Sequence, residues 1–154
     1  MWHKDSKSYL YLVPLKDKIS SHMHIHYDPI KGKTCEIVDA LMSSEHMAED
    51  EDLRFKLRLC IEEVVENIVQ YAYKNGEGFI DVTTSLSDGL LSITLEDSGV
   101  PFNPLAKEDP DITLSAEERP IGGLGIFICK QMMDDLSYVY RDGRNIFTMK
   151  KKIN

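Results

Sequence analysis

Glu63 and Asn67 stand four residues apart in the stretch IEEVVENIVQYAY. At about 100° per residue they project from one side of a helix, at the margin of its apolar stripe. A carboxylate and an amide placed there can meet a ligand. A second stretch, EDSGVPFNP, puts Asp97 at the end of an apolar strand, with Ser98-Gly99 permitting a sharp departure of the backbone. A carboxylate fixed at a strand end can accept a hydrogen bond from an exocyclic amine such as that of adenine. A third, PIGGLGIFICKQMMDD, places Gly122, Gly123 and Gly125 at the head of an amphipathic run. Helix N-termini present unsatisfied N–H groups and partial positive charge, and glycines there let a phosphate come close. Each stretch also has an ordinary reading: boundary residues on a helix, a plain strand-to-loop turn, and close helix packing.

The elements that must position these residues follow from periodicity. SYLYLVPL (residues 8–15) and HMHIHY read as strands, with Asp28-Pro29 and Gly32 turning the chain. A short helix is expected over Thr34 to Met42, and the acidic AEDED suits the entry of the next. Leu53, Leu57, Cys60, Ile61, Val64, Ile68 and Ala72 recur at spacings of three and four, one stripe of a long helix that stops at Asn75-Gly76. GFIDVTTSL and LLSITLED alternate at period two around Ser87-Asp88-Gly89, a hairpin. A proline-bearing loop runs from Ser98 to Pro120, a length typical of functional lids or disordered segments. A helix with Leu124, Phe127, Ile128, Gln131, Met132 and Leu136 along one side follows, then a closing hairpin through RDGR. The expected fold is an α+β two-layer sandwich, a mixed and mostly antiparallel sheet with helices on one face, forming one domain over residues 1–154.

Bulk properties narrow the function. The 154 residues carry a net charge of -8, with 42% hydrophobic and 29% charged residues. That balance suits an ordinary globular domain and argues against direct nucleic-acid binding, which needs a basic footprint. No apolar run reaches the roughly 18 residues of a membrane span, and the polar start MWHKDSKS does not read as a signal peptide. Cys35, Cys60 and Cys129 form no CxxC; two fall in apolar helical patterns, so reduced thiols in a cytoplasmic protein are expected.

The three stretches, in this order, resemble the ATP-binding fold shared by DNA gyrase, histidine kinases, heat-shock chaperone ATPases and mismatch-repair ATPases. Closer still, the chain is similar to the bacterial anti-sigma-factor serine kinases that regulate sporulation and stress responses. IEEVVENIVQYAY corresponds to that family's asparagine box, EDSGVPFNP to its adenine-binding box, and PIGGLGIFICKQMMDD to its glycine box. The likeness spans residues 33 to 150, and residues 1–30 match less well. It implies ATP and Mg²⁺ as cofactors, with Asn67 coordinating Mg²⁺ and Glu63 acting as general base toward an attacking hydroxyl. It implies that Asp97 binds the adenine amine, that Gly99 lets the base come close, and that Gly122, Gly123 and Gly125 shape a lid hinge and phosphate contact. The lid would run from about Asn103 to Pro120. The implied activity is phosphorylation of a small anti-sigma-antagonist protein on Ser or Thr, controlling a sigma factor, with no membrane partner and with a homodimer compatible with the family.

Departures from the family pattern are local. Pro101 and Phe102 stand where another glycine is usual, and Tyr71 where a histidine is common. Arg144-Asn145 replaces a Gly-Thr pair whose hydroxyl supports the adenine aspartate; Asn145 is the better-aligned substitute and Thr148 the poorer one. These departures keep open an alternative, a non-catalytic nucleotide-binding switch that sequesters a protein partner. His22, His24 and His26 share one strand face, read as a solvated face rather than a metal site because no fourth ligand is identifiable.

Overall fold

The structure is a computed structural model that describes residues 9–12, 21–45, 47–75, 77–118 and 123–153. In chain order the elements are β1 (Tyr9–Leu12), β2 (Ser21–Tyr27), α1 (Thr34–Met42), α2 (Glu51–Tyr71), β3 (Ile80–Ser87), β4 (Leu90–Asp97), a 3-10 turn (Pro104–Ala106), α3 (Leu124–Met132), β5 (Asp135–Arg141) and β6 (Arg144–Lys152). Only Tyr9–Leu12 of the first expected strand is seen; Pro14 lies outside the described residues. The strands form one sheet in the order β1-β2-β3-β4-β6-β5. The architecture is α+β, and the expectation of a mixed sheet is corrected: every pairing among the described strands is antiparallel. Two tight hairpins account for much of this. Asp88-Gly89 and Asp142-Gly143 all have positive φ, the conformation whose twist matches that of the flanking strands.

One sheet face is apolar at period two. Ile80 and Val82 of β3, Leu91, Ile93 and Leu95 of β4, and Phe147 and Met149 of β6 are buried, together with Leu57, Cys60, Ile61, Val64 and Val65 of α2. Helices cover that face alone, so the opposite face stays polar. There Thr94 bonds Thr148 at 3.1 Å, and His24 and His26 meet Asp81, His26 at 2.6 Å. Thr148 therefore faces away from Asp97, and His24 and His26, expected with His22 as a solvated face, are half-buried partners of Asp81. Among the described residues no group of three or more His, Cys, Asp or Glu could hold a metal ion.

α2 starts as its acidic entry predicts. The Asp50 side chain accepts from the Leu53 N–H at 2.8 Å, with Glu51 and Asp52 in the first turn. It stops earlier than the Asn75-Gly76 pair. Ala72 caps it, and its carbonyl accepts from Val100 N at 2.9 Å. A Cβ on Gly99 would overlap Ala72, so glycine is what lets the chain after β4 press onto the end of α2. Tyr73 completes this clamp, donating to the Phe79 carbonyl at 2.6 Å and accepting from Ser98 N at 2.9 Å.

α3 packs by a different face from the one its composition suggests. Ile126, Cys129 and Met133 are buried, whereas Leu124 is exposed. Cys60 and Cys129 are free, buried thiols at the α2–α3 contact, while Cys35 is exposed. The hydrogen bond with Cys60, and then burial, push the Cys129 thiol well above its ordinary range. No helix among the described residues is long and apolar enough to cross a membrane.

Candidate functional site

α2, α3, the ends of β4 and β6, and the loop after β4 enclose a cavity of about 450 Å³. Glu63, Asn67, Asp97, Gly123 and Asn145 all line it. Gly122 lies outside the described residues. Gly99 and Gly125 do not line the wall; each instead makes room for a neighbour. The α2 stripe divides along its length. Leu57, Cys60 and Ile61 belong to the core, while Ile68 and Ala72, expected to continue it, wall the cavity beside Asn67 and Tyr71.

At one end stands Asp97, 3% exposed. Its Oδ1 accepts from Gly99 N and from Asn145 Nδ2, both at 2.9 Å. Among the described residues these are its only hydrogen bonds, so Oδ2 is left as an acceptor at the cavity wall. Burial raises the carboxyl pKa, and the bonds from Asn145 and Gly99 partly oppose that rise. Asn145, 6% exposed, is oriented by unambiguous partners. Its Nδ2 also donates to the Val100 carbonyl at 3.0 Å. Its Oδ1 accepts from Phe102 N at 3.1 Å and from the Tyr138 hydroxyl at 2.6 Å.

Toward the other end Glu63 and Asn67 project from α2 one turn apart, both half-buried. Gly123 caps α3 in the left-handed region at φ 87°, and the Phe127 N–H bonds its carbonyl at 3.1 Å. A Cβ built on Gly125 would overlap the Glu63 carboxyl group. Gly125, expected from its type as a phosphate contact, is thus the seat on which the Glu63 side chain rests.

Four contributors escaped the sequence reading. Lys107 and Lys130 line the cavity, and Lys130 pairs with Asp109 of the loop at 2.5 Å. The spacing of Gly123, Phe127 and Lys130 along α3 was the available signal for that lysine. Tyr138 and the backbone N–H of Phe102 act through Asn145, and no local pattern announces either.

A sequence model of the histidine kinase-like ATPase domain matches residues 32–151, most of the chain. The chain belongs to this family. Histidine kinase-like ATPase domains use ATP, and the all-antiparallel sheet with its helices on one face agrees with their α+β fold. This ATPase domain is 33% identical over 116 residues to the serine/threonine-protein kinase BtrW of Bordetella bronchiseptica, covering 72% of this chain and 82% of that protein. It is 34% identical over 98 residues to the serine-protein kinases RsbW of Bacillus cereus and Bacillus mycoides. Those matches cover 61% of this chain and 61% of each RsbW, so the chain spans less than two thirds of them.

Proposed function

We propose that this ATPase domain is an Mg-ATP-dependent protein serine/threonine kinase and anti-sigma-factor-like regulator, acting in the cytoplasm on a small antagonist protein. The observation that carries the reading is the convergence of Glu63, Asn67 and Asp97 on one cavity of about 450 Å³, within the 300–1,000 Å³ typical of small-molecule sites. The residues fit the nucleotide. Asp97 Oδ2 is a bare acceptor suited to the 6-amino group of adenine, and Tyr71, Val100 and Phe102 give an apolar wall for the ring. Mg²⁺ keeps several waters and takes few protein ligands, so the single amide oxygen of Asn67 suffices beside the phosphates.

Bound ATP supplies the γ-phosphoryl group. Glu63 takes the proton of the attacking Ser or Thr hydroxyl, a role that contributes typically 10²–10⁴-fold. Asn67 holds the metal that offsets phosphate charge in a chain of net charge -8, and Lys107 adds positive charge at the wall, where Lys130 is paired with Asp109. Gly123, the left-handed cap of α3, gives the lid its turning point. The names of BtrW and RsbW, both protein kinases, support phosphoryl transfer over hydrolysis alone.

The test uses the full chain, Mg²⁺, γ-labelled ATP and a purified anti-sigma-factor antagonist protein. Labelled Ser or Thr is expected. Glu63→Ala abolishes transfer and keeps most ATP affinity by calorimetry, whereas Asn67→Ala loses both. Normal transfer by Glu63→Ala refutes the base assignment. ATP binding with no transfer to the antagonist supports the non-catalytic switch instead.

A further inference from the structure

Asp97 offers only one oxygen to a bound base, and the reason lies outside the loop that carries it. Asn145 has a side-chain amide with both ends committed. Its oxygen takes the Phe102 N–H at 3.1 Å and the Tyr138 hydroxyl at 2.6 Å, and its nitrogen gives to Asp97 Oδ1 at 2.9 Å and the Val100 carbonyl at 3.0 Å. Reversing the amide would set its oxygen against a carboxylate and a carbonyl, and its NH₂ against the Phe102 N–H. Only the Tyr138 hydroxyl, turned acceptor, would be left as a favourable contact. Tyr138 stands on β5, directly across from Phe147 of β6, which lines the same cavity. Burial holds the Tyr138 pKa above its ordinary value, so the hydroxyl stays protonated and donates.

We propose that Tyr138 is a specificity-determining positioning residue. Its hydroxyl locks the Asn145 amide, Asn145 saturates Asp97 Oδ1, and Oδ2 is left as a lone acceptor that favours a 6-aminopurine over a 6-oxopurine. The proposal rests on the nucleotide reading above. It also ties the base contact to the root of the lid, because Val100 and Phe102 bond the same amide. Movement of the lid root and the orientation of Asp97 are therefore one event.

The experiment compares ATP with ITP, which carries an oxo group in place of the 6-amino group, by calorimetry on the full chain with Mg²⁺. Wild type prefers ATP. Tyr138→Phe keeps the ring and its packing, and lowers the ATP-over-ITP ratio by about 5-fold, the order expected for one lost neutral hydrogen bond. Asp97→Asn keeps Oδ1 as acceptor for its two donors and turns the cavity-facing atom into a donor, so it reverses the preference. An unchanged ratio in Tyr138→Phe, or an equal loss of ATP and ITP affinity, overturns the proposal. Failure of wild type to bind ATP, or of Asp97→Asn to weaken it, overturns the nucleotide reading instead. Thermal denaturation of each variant separates a loss of fold from both results.

Discussion

Gly125→Ala separates stability from catalysis at a single atom. Gly125 has no positive φ, so alanine fits its backbone, and Gly to Ala within a helix is worth about 1 kcal/mol in propensity. The added Cβ, however, would overlap the Glu63 carboxyl carbon, and restoring carbon–carbon contact at about 3.5–4.0 Å drives that group off by roughly 1.7–2.2 Å. The end of a glutamate side chain can move that far without unfolding anything. A misplacement of about 1 Å at a reacting group costs about 10²-fold in rate, or about 2.7 kcal/mol of barrier. The expected variant melts at or above the wild-type temperature, binds ATP within about 3-fold, and transfers phosphate about 100-fold more slowly. Phosphate transfer is followed with labelled ATP and the antagonist protein, and binding by calorimetry. Transfer by Gly125→Ala at the wild-type rate refutes the idea that Glu63, held where it rests on Gly125, is the base.

Thr84 is fully buried, and among the described residues its hydroxyl has no hydrogen-bond partner. Thr84→Val removes an unpaired hydroxyl at nearly constant volume and raises unfolding free energy in urea by about 1–2 kcal/mol; a decrease refutes the orphan assignment. Asp50→Ala removes the α2 cap and costs about 1 kcal/mol in the same assay, and a loss below about 0.3 shows that the bond to Leu53 N is not made in solution. Asp97 gives a pH signature. Its carboxyl pKa is raised in the folded chain, so the folded state holds that proton more tightly than the unfolded one. This group's contribution to stability therefore increases as pH falls through the raised pKa toward the unfolded value of 3.8, while ATP affinity falls because the acceptor is lost. Melting curves and ATP titrations across that range, with Asp97→Asn as the insensitive reference, check both trends. Affinity that stays flat down to pH 3.8 refutes the contact between base and carboxylate.

Elements with a strong local period were legible in the sequence. α2, both hairpins and the Glu63–Asn67 face follow from residues within two turns or one strand pair. Asn145 was reachable because its place beside Asp97 follows from the β4–β6 pairing implied by the family likeness. Strand orientation across the sheet was not, since the insertion of β6 between β4 and β5 leaves no mark in any one strand. The buried face of α3 was misread because Leu124 looks like the first member of an apolar stripe. The left-handed cap at Gly123 starts the helix so that Ile126, Cys129 and Met133 face inward instead. The contact of Glu63 with Gly125 lies across space between two helices, and the bond of Tyr138 to Asn145 depends on which face of an edge strand turns inward. Neither face of LSYVY is favoured by composition.

The pairing of Asp97 with Asn145 joins residues 48 positions apart, across strands that adjoin only once the last strand of the sheet has docked. Contacts of such sequence separation carry a loop-closure penalty and tend to form late in folding. α2, with Glu63 and Asn67, can take shape from local hydrogen bonds well before that. The two ends of the cavity are thus expected to form in sequence, the half that would handle phosphate before the half that would recognise the base. A folding intermediate lacking β6 would hold Asp97 without its Asn145 partner, and so with a less firmly oriented acceptor for the base. Nucleotide added during refolding is then expected to accelerate nothing before the final docking step, and to act afterwards only by slowing the escape of β6.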